Sequence, residues 1–416
     1  MPATNWARNV TFGAQAYERP ASLDEVRALV GRSDRIRVLG SGHSFNRIAD
    51  TTGPLLSLAG LPAEIDIDTA SSRVRISAGL TYAQVAPRLQ EAGFALPNLA
   101  SLPHISVAGA CATGTHGSGD GNGGLATAIA SIDMVTGTGD VVTVERGDAD
   151  FEGMPVGLGR LGVVTALTLD LVPSYDIAQY VYDSLPDERL DADFDAIFAS
   201  GYSVSAFIDF DDHNRLWCKL LAADPPPGPI AFDALAALEP RNPVPGMSPD
   251  NCTPQLGIPG PWHERLPHFR AEFAPSSGDE RQSEYLLPRE HAVAGLNALR
   301  GLREQITPVL QIAEIRTIAA DELWLSPAYR RATVGFHFTW VPDDAALAPV
   351  IEAIERELAP FDPRPHWAKV FSQAAHYERM PDFVRLVEQY DPNGKFGNEF
   401  LDGYLSATSR DLPAGS

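Results

Sequence analysis

Glu314-Ile315-Arg316 and Phe336-His337-Phe338-Thr339-Trp340 each carry two polar groups two residues apart inside an apolar run. In a strand, alternate side chains share a face. Glu314 and Arg316 then point one way, while Ala313 and Ile315 point into the packing. His337 and Thr339 repeat the arrangement. If the two strands are neighbours, a carboxylate, a guanidinium, an imidazole and a hydroxyl line one surface. Such a mixture of donors and acceptors suits several hydroxyls of one substrate. The plainer alternative is an ion pair on a solvated sheet face, and on these residues alone it is preferred.

A second candidate lies in Arg364-Pro365-His366-Trp367-Ala368-Lys369-Val370-Phe371. Of the 32 basic residues only Lys219, Lys369 and Lys395 are lysines. Arginine is a planar fork that keeps its proton, whereas lysine is a compact charge whose pKa can be tuned. A chain this sparing with lysine keeps one where arginine cannot substitute, which raises the standing of Lys369 over a solvated surface lysine. Asp391-Pro392-Asn393-Gly394-Lys395-Phe396-Gly397-Asn398 reads locally as a turn and nothing more.

Two glycine-rich segments are suited to holding a large ligand by its backbone contacts. In Leu39-Gly40-Ser41-Gly42-His43-Ser44-Phe45 the glycines let backbone N–H groups converge on an anion. The G-x-G-x-x-G dinucleotide fingerprint needs glycine where Phe45 stands, and no clear helix follows, so a nicotinamide fold is disfavoured. The run Pro97 to Gly109, continuing into Ala112-Thr113-Gly114-Thr115-His116-Gly117-Ser118-Gly119, is rich in small residues that allow close backbone approach. Apolar residues interleaved through it argue for partial burial.

These segments need elements to position them. Ser22-Leu23-Asp24-Glu25 is a capping box opening a helix to about Gly31. Strands are expected at Ile36–Leu39, Leu55–Leu58, Ile65–Asp68 and Val74–Ala78. Thr81 to Gln84 opens a second helix to about Glu91, which Pro87 would kink. Residues 101–124 look poorly helical. Gly137-Thr138-Gly139-Asp140 is a hairpin signal between Ser131–Thr136 and Val141–Glu145, and Val163–Leu171 alternates as a strand. Beyond Pro173, strands are expected at Val204–Phe210, Gln311–Ile318 and Thr333–Val341. Helices are expected at Arg289–Ile306, Asp343–Leu358 and Pro381–Gln389, with an irregular proline-dense excursion over 224–267. Strands and helices do not alternate as βαβ units, so the second domain is expected to be α+β.

Composition bounds the function. The 416 residues are 44% hydrophobic, with a net charge of −22, enough for two domains and unsuited to nucleic acid or anionic lipid. Cys111, Cys218 and Cys252 form no CxxC pair, which points to a reducing, cytoplasmic setting. Met1–Phe12 lacks the pattern of a signal peptide, and no stretch is apolar enough to span a membrane. The sequon at Asn251 then carries no meaning. No metal site is expected. His263 and His268 are one place too far apart for a zinc-protease helix, and Pro267 would break it. Neither a G-x-S-x-G elbow nor a P-loop is present, and Asp120 is a lone carboxylate.

Taken together, Gly40-Ser41-Gly42-His43-Ser44, Gly114-Thr115-His116-Gly117, His366-Trp367-Ala368-Lys369 and Asp391-Pro392-Asn393-Gly394-Lys395-Phe396 resemble the vanillyl-alcohol-oxidase and cresol-methylhydroxylase flavoproteins. The similarity runs from the first capping box to Asn398 and is to the sugar-oxidising aldonolactone oxidase branch, including members that act on sugar alcohols. One departure is Ala368, where glycine also occurs; little consequence is expected.

The resemblance implies an α+β, two-domain covalent flavoprotein. Residues 1–175 would be a PCMH-type FAD-binding domain, 176–375 a substrate or cap domain on an antiparallel sheet, and 376–416 a segment returning to the first. It implies FAD bonded to His43 and contacted by Gly40, Ser41, Gly42, Ser44, Phe45, Ala100, Ser101, Ser106, Gly109, Thr113, Gly114, Thr115, His116, Val163 and His366. It implies a polyol held by Ser101, Glu314, Arg316, Thr339 and Lys369, with Lys369, Arg316, Glu314 and His337 doing the chemistry and either His337 or Lys369 taking the proton. Ala100 falls where a small residue leaves dioxygen room. The implied reaction turns a terminal hydroxyl, as of xylitol or sorbitol, into the aldose and dioxygen into hydrogen peroxide, in a monomer. The alternatives are an aldonolactone oxidase or dehydrogenase, a nicotinamide-dependent reductase, and a non-catalytic flavin- or sugar-binding protein.

Overall fold

The computed structural model describes residues 4–211, 214–273 and 279–407; residues 1–3 of the Met1–Phe12 reading and 408–416 of the returning segment lie outside them. Among the described residues the N-terminal lobe holds two larger sheets and the short antiparallel pair Phe94–Ala95 with Val172–Pro173. Ala16–Glu18, Pro54–Leu56 and Arg37–Val38 form a small parallel sheet with Pro54–Leu56 in the middle. Ile65–Asp68, Arg73–Ser77, Val163–Asp170, Ile129–Val135 and Val141–Glu145 form an antiparallel sheet in that order.

The local signals act as expected. Ser22 Oγ accepts from Glu25 N at 3.3 Å, and the helix Leu23–Arg32 buries Val26, Leu29 and Val30 at helical spacing. The helix Tyr82–Glu91 continues through Pro87, and Gln84 Oε1 accepts from Thr81 N at 3.0 Å. In the hairpin, Gly139 takes φ +88°, which glycine adopts at little cost. Residues 101–124 depart from expectation: they contain the helix Val107–Ala112. Burial of Val107, Ala110 and Cys111 outweighs the poor propensity of Gly109 there.

The C-terminal lobe is built on a ten-stranded antiparallel sheet. Its central strands run in the order Asp176–Asp183, Arg215–Leu221, Ser203–Ile208, Leu310–Ile318, Thr333–Trp340 and Arg281–Pro288. The sequence reading missed three of these: Asp176–Asp183, Arg215–Leu221 and Arg281–Pro288. One face of the sheet packs under helices. Asp343 Oδ1 caps Asp344–Leu358 by accepting from Ala346 N at 3.0 Å. That helix and Ala292–Arg300 bury Leu296, Leu299, Ile351, Ile354 and Leu358 on Ala313, Ile315, Phe336 and Phe338. Each such side chain contributes about 1.5–3 kcal/mol. The helix expected over Arg289–Ile306 is interrupted at Gly301-Leu302. The opposite face of the sheet is turned toward the N-terminal lobe.

The chain then returns. Met380–Tyr390 packs Phe383, Leu386 and Val387 into the core of the N-terminal lobe. The turn that follows is a clasp. Asp391 accepts from Lys395 N at 2.7 Å and Phe396 N at 2.8 Å. Asn398 Nδ2 donates to the carbonyls of Arg47, Ile48 and Asp50 at 3.0, 3.2 and 2.9 Å. Among the described residues no helix is long and apolar enough to cross a membrane.

Candidate active site

A cavity of about 700 Å³ lies between the lobes. Its N-terminal wall is rich in glycine and other small residues. Gly40, Gly42, Gly79, Gly109 and Gly162 line it, with Ala100, Ser101, Ser106 and Thr113. A Cβ on Gly40 would overlap Ser106 Oγ, and one on Gly109 would come within 2.6 Å of the same oxygen. These glycines allow Ser106 to sit between two backbone segments, where its N–H donates to Ser41 Oγ at 3.2 Å.

The loop carrying His43 is clamped from outside. Trp6 N donates to Gly42 O at 2.8 Å, Asn5 Nδ2 to Ser44 O at 2.9 Å and Asn9 Nδ2 to Phe45 O at 2.8 Å. The Trp6 ring stacks on His43 at 4.8 Å. Burial, with His104 nearby, pulls the His43 imidazole down to about 4, so the ring is neutral near pH 7. At another part of the cavity Arg37 is 4% exposed. Its guanidinium donates to the carbonyls of Ile48, Leu158, Gly159 and Phe396.

The same loop is tied to the Lys369 loop. Phe45 N donates to Ala368 O at 2.7 Å, and Asn46 Nδ2 donates to the carbonyls of Trp367 and Lys369, both at 2.8 Å. Displacing Lys369 relative to His43 therefore means breaking three hydrogen bonds, each with a net worth of about 1 kcal/mol.

The opposite wall is made of side chains on the bare face of the ten-stranded sheet. Phe207, Glu314, His337 and Glu284 form a cross-strand row on four adjacent strands, and Gln282 pairs with Thr339 beside it. The expected alternation holds: Glu314 and Arg316 face the cavity, while Ala313 and Ile315 lie in the core.

At the centre is Glu284, whose side chain is fully buried. It accepts from Arg316 Nη2 and Lys369 Nζ, each at 2.6 Å, and His116 Nε2 lies 3.3 Å away. Burial pushes the Glu284 carboxyl up, but Arg316 and Lys369 overcome it and hold the group well below its usual range. Burial also opposes ionisation of Glu314, which Arg316 and His268 reverse. Lys369 is drawn down by burial to about 8, with Glu284 resisting. Two carboxylates and two cations thus balance in a dry site, which is what makes burying them tolerable.

The imidazoles are fixed by their partners. Gln282 Nε2 donates to Glu280 Oε1 at 2.6 Å, which leaves Gln282 Oε1 to accept from His337 Nε2 at 3.1 Å. His337 Nδ1 is then a bare acceptor. Burial and the charge of Lys369 hold the ring well below the usual histidine range. His366 Nδ1 accepts from Ala368 N at 3.1 Å. Burial, then Lys369, lowers His366 as well. Among the described residues, Arg37 Nε, His116 Nε2, Arg316 Nε and His337 Nδ1 are buried without a hydrogen-bond partner, and all four residues line the cavity.

The anticipated site residues line this cavity with two exceptions. Gly114 does not: it sits at φ +67° against Pro327. Val163 lies in the core with Val26 and Val135. Because side chains alternate along a strand, its neighbours Gly162 and Val164 reach the cavity instead. Sequence reasoning missed Glu284, Gln282, His268 and Lys219. Lysine scarcity, applied to Lys369, would also have marked Lys219.

Residues 14–145 match the FAD binding domain family and residues 280–404 the D-arabinono-1,4-lactone oxidase family. The chain is 50% identical to the alditol oxidase of a Streptomyces species, over 97% of this chain and 98% of that one. It is 26% identical to the L-gulono-1,4-lactone dehydrogenase of Mycobacterium tuberculosis, over 95% and 97% of the two chains. The fold is shared with the solved cholesterol oxidase of Brevibacterium sterolicum, at TM-score 0.77 and 14% identity over 97% and 96% of the chains. The antiparallel cap, the glycine-lined wall and an enzyme half identical over nearly its whole length agree: the chain belongs to the alditol oxidase family of FAD-dependent oxidoreductases.

Proposed function

We propose that the protein oxidises the terminal hydroxyl of an alditol such as xylitol or sorbitol to the aldose, reducing dioxygen to hydrogen peroxide, with FAD bonded to His43. The observation that carries this is the charge-balanced row on the cap sheet, whose unpartnered Arg316 Nε and His337 Nδ1 belong to residues lining the cavity. The row is tied through Lys369 and Asn46 to the His43 loop. FAD, when bound, supplies a two-electron acceptor for the carbinol hydride and passes the electrons to dioxygen. The residues proposed to hold it fit such a group: a glycine-rich wall, a neutral imidazole at the attachment point, and the buried Arg37 cation with Nε uncommitted.

The protein's own part is binding and proton handling. Glu314, Thr339 and Ser101 accept and donate to the inner hydroxyls. Lys369 and Arg316 stabilise negative charge developing on the terminal oxygen. His337 Nδ1 receives its proton, since the Gln282–Glu280 chain leaves that nitrogen as the bare acceptor. Ala100, small and next to the attachment loop, leaves the path for dioxygen. Residues 1–175 serve as the FAD domain and 176–375 as the cap, with 376–416 returning; the enzyme is a cytoplasmic monomer.

Acid precipitation tests the cofactor assignment. A yellow pellet, with flavin on the peptide containing His43, is expected; flavin wholly in the supernatant would remove the covalent bond. Peroxide release from xylitol and sorbitol tests the reaction. The match over 280–404 and the lactone-acting relatives favour a second reading, a lactone oxidase, which faster turnover of aldonolactones than of polyols would establish.

A further inference from the structure

On the same face of the sheet as Glu314, two strands away and just outside the cavity lining, lies a group with no part in the proposed chemistry. Lys219 is 2% exposed in the strand Arg215–Leu221. Its Nζ donates to Leu266 O and lies 3.3 Å from His268 Nδ1. His268 Nε2 is in turn 3.0 Å from Glu314 Oε1. Phe207 and Trp217 hold the His268 ring edge-on at 5.3 and 5.2 Å, so it cannot easily rotate. A buried amine is costly and persists where it has a task.

We propose that Lys219 and His268 form a relay of positioning residues that sets the orientation of Glu314, and through it the preference for polyols over simple diols. The relay is a matter of proton placement. An ammonium at Lys219 can only donate, so His268 Nδ1 must accept and the ring proton must sit on Nε2, aimed at Glu314 Oε1. Glu314 Oε1 is thereby occupied, and Oε2 is turned toward Arg316 Nε, 3.6 Å away, and His337 Nδ1, 3.9 Å away. Those separations are too long for direct hydrogen bonds, so Oε2 and these two nitrogens remain able to bind a substrate hydroxyl from the cavity side. Once Lys219 loses its proton, its amine can accept from His268 Nδ1. The ring tautomer then reverses, and a bare Nε2 faces the carboxylate.

The groups facing Lys219 are His268, Glu314, Arg316 and Cys252. Burial, with Glu314 opposing it, brings the amine down to about 7. The neighbours do not compete for that range: burial pulls His268 down to about 4 and pushes the Cys252 thiol up to about 12.

This inference rests on the alditol reading, and the experiment separates the two. Steady-state rates on xylitol and on 1,2-propanediol, which lacks the hydroxyls beyond C2, are measured from pH 6 to pH 9. Titration of Lys369 affects both substrates and cancels in the ratio of their kcat/KM values. In the unaltered enzyme that ratio is expected to fall at least tenfold as pH rises through neutrality. In Lys219→Met, KM for xylitol rises at least tenfold with kcat within threefold, 1,2-propanediol is unaffected, and the ratio is flat with pH. Lys219→Gln, which keeps a donor but cannot titrate, also gives a flat ratio and serves if the methionine variant does not fold with its flavin. A wild-type enzyme that oxidises xylitol while either folded variant keeps the pH-dependent ratio would overturn the relay. A wild-type enzyme that oxidises no polyol would overturn the alditol reading instead.

Discussion

The two walls of the cavity recognise their ligands by opposite means. The N-terminal wall is rich in glycines and small residues, which let backbone segments approach closely at Gly40 and Gly109. The cap wall is built from long charged side chains, and its backbone is consumed by the sheet ladder. A glycine-rich wall suits a large ligand that never leaves, because its geometry is set by the chain path itself. A wall of balanced charges suits a small polar ligand that must exchange, because each group can rehydrate or re-pair when the ligand goes. The contrast explains why single substitutions should act differently on the two sides.

The largest effect is expected on the cap wall at Lys369. Lys369→Ala should lower kcat about 10²–10³-fold with flavin content unchanged; turnover of xylitol at the normal rate would exclude its role. Next is Glu284→Gln, which leaves Arg316 and Lys369 without their shared counter-charge. A stability loss of about 3–5 kcal/mol is expected by chemical denaturation, together with slower turnover. An unchanged midpoint would mean that the balance described above does not hold the sheet face together. On the other wall, His43→Ala should abolish acid-stable flavin while FAD still binds reversibly, read by absorbance of the pellet and of the ultrafiltrate.

A smaller loss, about 1–3 kcal/mol of overpacking, is expected for Gly40→Ala. Its methyl overlaps Ser106 Oγ but lies 3.4 Å from Ser106 Cβ, so adding Ser106→Ala should restore flavin retention. Failure of that rescue would show that Gly40 matters for another reason. The gentlest test is pH. In the role proposed for it Lys369 acts protonated, and its pKa is drawn from 10.5 down to about 8. Turnover of saturating xylitol should therefore fall above pH 8, roughly tenfold per unit, and hold steady just below it. A rate that rises through pH 8 would make Lys369 the base.

Legibility in the sequence followed the same division. The glycine-rich wall was readable because glycine and small residues advertise close approach directly, and the capping boxes and the Gly137–Asp140 hairpin are local signals. The Glu314–Arg316 and His337–Thr339 pairs were readable because period-two alternation shows which groups share a face. Glu284 was not, because the strand carrying it is buried on both faces and shows no alternation. Its partners Arg316, Lys369 and His116 are also distant in sequence. His268 was considered only as a metal ligand, although what it needed was a carboxylate on another strand. Val163 and Gly114 fall outside the cavity lining while their neighbours belong to it; at Val163 this follows from the alternation of side chains along the strand.

The Asp391–Asn398 clasp bears on how the protein is made. Arg37, which lines the cavity, donates to Phe396 O, and Ile36 N donates to Lys395 O at 2.9 Å. The N-terminal lobe therefore stays unfinished on the ribosome until roughly 230 further residues have followed its second sheet, about 10–50 s at ordinary elongation rates. Cofactor capture belongs to the end of synthesis, and a nascent chain stalled in the cap should emerge colourless.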